Sequence, residues 1–193
     1  MRKAEITRKT KETAISLRLD LDGKGACRAK TGVGFLDHML DLLARHGGLD
    51  LTVTAKGDVH VDDHHLVEDV GIVLGQALKQ ALGRKEGITR YGSATIPMDE
   101  ALVMCALDLG GRPYLAFGLE LPAKRVKGFD TELIEEFLRA VVNAAGMNLH
   151  LRQLDGRNTH HIIEAAFKAF ARALGQAVGR SGRSGIPSTK GVL

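Results

Sequence analysis

A stretch of twenty-two residues is written twice in this chain. DHHLVEDVGIVLGQALKQALGR, residues 63–84, aligns without a gap on THHIIEAAFKAFARALGQAVGR, residues 159–180. Under that single shift of 96 positions, His64, His65, Glu68, Ala77, Leu78, Gln80, Ala81, Gly83 and Arg84 all meet identical residues. Duplication of a helix-length segment predicts two like halves that close on each other, each carrying the same elements in the same order.

The flanking residues give that order. Residues 2–9 and 12–21 alternate polar and apolar (Ala14-Ile15-Ser16-Leu17-Arg18-Leu19), which predicts a strand hairpin. A glycine-bearing loop over 23–34 leads into a helix over 35–46 that Gly47-Gly48 closes. Residues 49–54 alternate again, and Asp62 or Asp63 caps a helix running to about Arg84. The second half repeats this: strands over 93–98, 101–109 and 113–121, a helix over 131–145, a strand over 147–153, and a helix capped by Asn158. The expectation is an α+β fold of duplicated strand-helix-strand-helix halves, with sheet on one side and helices on the other. The halves span 1–90 and 91–180, and the Gly/Ser/Arg-rich residues 181–193 predict a flexible basic tail.

What the duplication preserves is a set of ligands. In His-His-x-x-Glu on a helix, the glutamate shares a face with both histidines. The two histidines themselves diverge by roughly 100°. Each helix therefore offers ligands to two different metal ions, and imidazole plus carboxylate suits Mn, Fe, Zn, Co or Ni better than Mg or Ca. Anchoring the repeats at the glycine after each first helix, Gly48 on Gly146, sets His38 opposite Glu136. Two symmetrical sets result: His38, His64, His65 and Glu68, then Glu136, His160, His161 and Glu164. Shared between two ions, they leave positions open for substrate or water. His150 is the competitor for a sixth imidazole beside these five, while His46 and His60 have no like partner in the repeat.

Bulk properties exclude other classes. The formal net charge of +4 suits anionic partners, phosphorylated metabolites included. Two tyrosines and six phenylalanines supply too little aromatic interleaving for nucleic acid, so none is expected. Cys27 and Cys105 are not at metal spacing and suit a reducing compartment. No apolar run suggests a leader or a membrane span, so a soluble cytoplasmic protein without membrane association is expected. Iron-storage bundles also hold two metals on helical His and Glu, but the strands between these helices argue against a bundle. A metallohydrolase is the nearest enzymatic rival.

Thr31-Gly32-Val33-Gly34-Phe35-Leu36-Asp37-His38-Met39, the two His-His-x-x-Glu helices, and Ile186-Pro187-Ser188-Thr189-Lys190-Gly191 together resemble the imidazoleglycerol-phosphate dehydratase family, over essentially the whole chain. The resemblance implies halves like the second domain of ribosomal protein S5. It also implies dehydration of imidazole-glycerol phosphate, a small-molecule phosphate ester, to imidazole-acetol phosphate in histidine biosynthesis. Two Mn(II) ions per active site would stabilise an imidazolate that expels hydroxyl to give a diazafulvene. The chain would be a homo-oligomer, a 24-mer with active sites between subunits. By position, the metal ligands would be His38, His64, His65, Glu68, His160, His161, Glu164 and position 136, where several members carry histidine and this chain has Glu136. Glu12 would contact substrate and shuttle protons, with His65, His161, Glu68 and Glu164 also in the catalytic machinery. Arg90, Arg112, Ser188 and Lys190 would hold the phosphate.

Overall fold

Alternating strands and amphipathic helices assemble here into two sheets of identical topology. The computed structural model describes residues 2–193. In the first half, β1 (Lys3–Lys9) and β2 (Thr13–Asp20) form a hairpin, β3 (Cys27–Lys30) leads into α1 (Gly34–Gly47), and β4 (Asp50–Gly57) leads into α2 (His64–Leu82). The second half runs β5 (Tyr91–Met98), β6 (Ala101–Asp108), β7 (Tyr114–Gly118), a small hairpin of β8 (Arg125–Val126) and β9 (Phe129–Asp130), α3 (Leu133–Ala145), β10 (Asn148–Asp155) and α4 (Thr159–Val178). The sheets are ordered β1-β2-β4-β3 and β5-β6-β10-β7. In each, only the last pair is parallel. A parallel pair cannot be joined by a tight turn, so α1 and α3 each cross over the sheet face between its two strands. The expected duplicated α+β fold is what forms.

Period-two alternation places Ile15, Leu17 and Leu19 of β2 beside Leu51, Val53 and Ala55 of β4, all on the buried face. Full burial of such a side chain stabilises by about 1.5–3 kcal/mol. Across the two halves, α2 packs along α3 and α1 along α4. The α2–α3 contact is close because Gly71 and Gly75, one turn apart, face α3. A Cβ at Gly75 would lie 2.5 Å from the Val141 carbonyl oxygen.

The sequence-based expectation lacks the β8–β9 hairpin and carries the strand from 113 on to 121 where β7 ends at Gly118, and two further elements differ. The segment 23–34 contains strand β3, which pairs parallel with β4 at the sheet edge. Only four residues long, with Arg28 and Lys30 outward, it carries too little apolar pattern to read as a strand. At the start of α2, Asp63 occupies the cap position without a side-chain cap bond, and Asp62 Oδ1 instead accepts the His64 backbone N–H at 2.8 Å. Residues 181–193 lie against the 85–90 loop. There Gly87 N–H donates to Gly185 O (2.8 Å), Ser181 N–H to Gly87 O (2.9 Å), and Arg90 Nη1 to Pro187 O (2.8 Å).

Candidate active site

The second His-His pair opens α4 because Asn158 caps it, accepting the backbone N–H of His160 at 3.0 Å and of His161 at 3.4 Å. As adjacent helical residues must, the two rings diverge, with centroids 6.2 Å apart and planes at 89°. Packing of α1 on α4 then brings His38 to His160 and Glu164. Glu164 Oε1 lies 2.6 Å from His38 Nε2 and 3.2 Å from His160 Nε2. The ligand atoms of these three residues are all within 4.8 Å of one another, the one such group of His, Cys, Asp or Glu among the described residues. Lys168, one turn further along α4, donates to Glu164 Oε2 at 2.7 Å. Burial alone would raise the Glu164 carboxyl, but hydrogen bonds from Lys168, His38 and His160 outweigh it and bring the pKa down to about 2. An ionised carboxylate between two imidazoles is a donor set that a first-row divalent ion accepts.

The first half is looser. His64 Nε2 lies 3.8 Å from Glu68 Oε2, the His64 and His65 rings stand at 78°, and Glu136 is half-buried on α3. Among the described residues no hydrogen bond or ion pair joins Glu136 to His64 or Glu68, and His46, His60 and His150 stay outside the His38 group.

His65 and His161 face away from that group, and each has a carboxylate on its Nδ1. His65 Nδ1 donates to Asp58 Oδ2 at 3.0 Å and His161 Nδ1 to Glu100 Oε2 at 2.7 Å. Both imidazoles are raised above the ordinary value, chiefly by these hydrogen bonds. Glu100 is lowered to about 2 by His161 and then by the Asn158 backbone N–H, which its Oε1 accepts at 2.8 Å. Glu12 is exposed, with Oε2 4.0 Å from His65 Nδ1. Sequence reasoning missed Asp58, Glu100 and Lys168. Lys168 had a signal, its i,i+4 spacing from Glu164, whereas Asp58 and Glu100 come from connections with no periodic relation to the helices they serve.

Beside the His38 group lies a cleft of about 550 Å³, walled by Phe35, Val126 and Phe129 with Lys127 at its rim and His38 and His160 at its polar side. That pairing of apolar walls with a few convergent polar groups suits a small ligand.

The basic residues gather elsewhere. Arg90 donates to Asp108 through Nε (2.7 Å) and Nη2 (3.1 Å), and its Nη1 holds Pro187 O beside Ser188. Ser188 Oγ accepts the Lys190 backbone N–H at 3.2 Å. Arg112 follows β6 at this same end, its carbonyl held by Asn148 Nδ2, and the chain terminus comes close by: a Cβ at Gly111 would meet the Leu193 carbonyl carbon at 3.1 Å. Arg90 N–H donates to Ala177 O, at the C-terminal end of α4. His160 lies 17 residues before Ala177 on that helix, so about 25 Å of helix separates the basic cluster from the His38 group.

A family model described as imidazoleglycerol-phosphate dehydratase matches residues 31–174. The imidazoleglycerol-phosphate dehydratase of Desulforamulus reducens is 62% identical over 193 residues, covering 100% of this chain and 98% of the relative. That of Moorella thermoacetica is 60% identical over the same coverage. The crystal structure of imidazoleglycerol-phosphate dehydratase from Staphylococcus aureus superposes with a TM-score of 0.84 at 45% identity, covering 92% of this chain and 99% of that one. The Pyrococcus furiosus structure, a complex with (S)-C348, also gives 0.84, at 39% identity over 97% and 100%.

Proposed function

Because the chain belongs to the imidazoleglycerol-phosphate dehydratase family, hydro-lyases of histidine biosynthesis, we propose a cytoplasmic enzyme that dehydrates imidazole-glycerol phosphate to imidazole-acetol phosphate at sites built from more than one subunit. One observation carries the shared site. The His/Glu group opens α4 while the basic cluster closes it, and a small phosphate ester is far shorter than the intervening helix. One substrate reaches both only if another copy of the chain supplies one of them, as in a closed homo-oligomer, here a 24-mer.

His38, His160 and Glu164 would hold one Mn(II) ion, and His64 and Glu68 with Glu136 would hold the second. His65 and His161 would complete these sets from a neighbouring copy. When bound, the two ions would supply Lewis acidity that favours the imidazolate form of the substrate ring, from which loss of hydroxyl would lead to a diazafulvene.

The chain's own groups bind, orient and move protons. Glu164, held ionised by Lys168, keeps His38 and His160 turned inward. Glu12 is exposed and free to reorient, so its carboxylate takes up the proton the ring releases, delivers it as the carboxylic acid to the departing hydroxyl, and, ionised again, collects the proton released from the neighbouring carbon. Arg90, fixed in place by Asp108, directs its remaining N–H groups at the phosphate, with Arg112, Ser188 and Lys190 around it. The apolar cleft beside His38 excludes water from the ring.

The test is reconstitution. Protein stripped of metal and reloaded with Mn(II) is expected to turn imidazole-glycerol phosphate into the ketone product. No turnover, with about two ions bound per chain, would overturn the reading and favour storage or hydrolysis.

A further inference from the structure

The two halves solve one problem in two ways. Registers make the comparison quantitative: Leu19 pairs with Leu51 in one sheet and Leu107 with Leu149 in the other. Counting seven residues back along β2 and β6 sets Glu12 opposite Glu100. These are the same position of a duplicated hairpin, and both keep a glutamate. Their engagements differ. Glu100 is fully committed, with Oε2 on His161 Nδ1 and Oε1 on the backbone N–H groups of Asn158 (2.8 Å) and Arg157 (3.3 Å). Glu12 stands back at 4.0 Å from His65 Nδ1. Its place there is taken by Asp58, just after β4, at 3.0 Å.

The reciprocal change lies at the other connection. After β10, the counterpart of β4, comes Gly156, with φ of 129° and a hypothetical Cβ 2.9 Å from that of Ala101. No carboxylate fits at that point, so His161 depends on Glu100. Asp58, in contrast, spends one oxygen on His65 and leaves Oδ1 buried without a hydrogen-bond partner. Among the described residues the one side-chain hydrogen bond of Asp58 is that to His65.

A carboxylate on Nδ1 fixes which imidazole nitrogen carries the proton and turns the Nε2 lone pair outward, the arrangement that orients metal-ligating histidines. We infer that Asp58 and Glu100 are paired positioning residues that hold His65 and His161 with Nε2 presented to metal, and that Asp58 relieves Glu12 of this duty and leaves it for chemistry. The inference rests on the reading of His65 and His161 as ligands.

Mn(II) titration of the metal-stripped full chain, followed by the electron paramagnetic resonance of free Mn(II), tests it. Asp58→Asn and Glu100→Gln are each expected to weaken Mn(II) binding about 10–100-fold, while Asp58→Glu, which keeps a carboxylate, retains more of the affinity. With Mn(II) raised to saturation, Glu100→Gln should recover kcat. Asp58→Asn should not, because Glu12 is then drawn onto the vacated Nδ1. Wild-type affinity in Asp58→Asn and Glu100→Gln, alongside weakened binding in His65→Ala and His161→Ala, overturns the positioning role and spares the ligand reading. Wild-type affinity in the two alanine variants as well overturns both. Equal recovery of kcat in Asp58→Asn and Glu100→Gln overturns the assignment of Glu12's freedom to Asp58.

Discussion

Glu164 accepts hydrogen bonds from His38, His160 and Lys168, and Glu100 from His161 and two backbone N–H groups. Both carboxyls fall to about 2 from an ordinary 4.5. A depressed carboxyl contributes stability that is complete above its unfolded value and disappears as pH falls through its folded one. His161 is raised above 6.5, so its share is complete below that value and disappears as pH rises through the raised one. Metal-free protein should therefore lose stability as pH drops from about 4.5 towards about 2, and again on the alkaline side of 6.5. Glu100→Gln should blunt both shoulders. Urea unfolding midpoints across pH measure this, and a variant curve parallel to wild type would contradict the pairing. The histidines were legible in the sequence because ligand chemistry restricts residue type and the repeat doubled the signal. Asp58 and Glu100 were not, since an acidic loop residue has the same letter whether it orients a histidine or faces water.

At the scale of elements, the halves anchor their ligand helices differently. In the first, Asp69 of α2 is buried and bonded to Arg8 (2.8 Å) and to the Thr13 hydroxyl, which tie the second turn of α2 to the β1–β2 hairpin carrying Glu12. In the second half the equivalent positions are Ala165 and Ala101, both buried. One polar pair has been exchanged for an apolar pair at the same junction. Asp69→Ala alone leaves the Thr13 hydroxyl only the Thr10 hydroxyl at 3.2 Å and takes the carboxylate from Arg8, and is expected to cost about 1–3 kcal/mol. Thr13→Ala with Asp69→Ala, which reproduces the second half, should cost less than the two single changes added. Chemical denaturation of the four proteins in the cycle gives the coupling, and strict additivity would remove the basis for an exchange. Helices and central strands were legible because their buried faces impose a period. Strand β3 was not, because an edge strand with Arg28 and Lys30 turned outward is held by its backbone pairing with β4, which leaves no periodic mark.

For the whole molecule, the repeat predicts two like halves closing on each other, and α2 on α3 and α1 on α4 are the contacts through which they meet. The sequence could not locate the His38 group and the basic cluster relative to each other, because that separation depends on the length of α4 and on where the C-terminal segment crosses it. A site assembled from the His/Glu group of one chain and the basic cluster of another makes a prediction that no single-chain site shares. His160→Ala removes a member of the first and leaves the second intact, and Arg90→Ala does the reverse. Each variant alone should be nearly inactive. When the two are unfolded, mixed in equal amounts and refolded together, random assembly gives about a quarter of the sites one intact half from each variant. Activity should rise to about that fraction of wild type and vary with the mixing ratio as the product of the two proportions. Mass spectrometry of the intact assembly establishes that mixing has occurred. Mixed assemblies without recovered activity would return both clusters to one chain, and the length of α4 would then demand a second ligand-binding path along a single subunit.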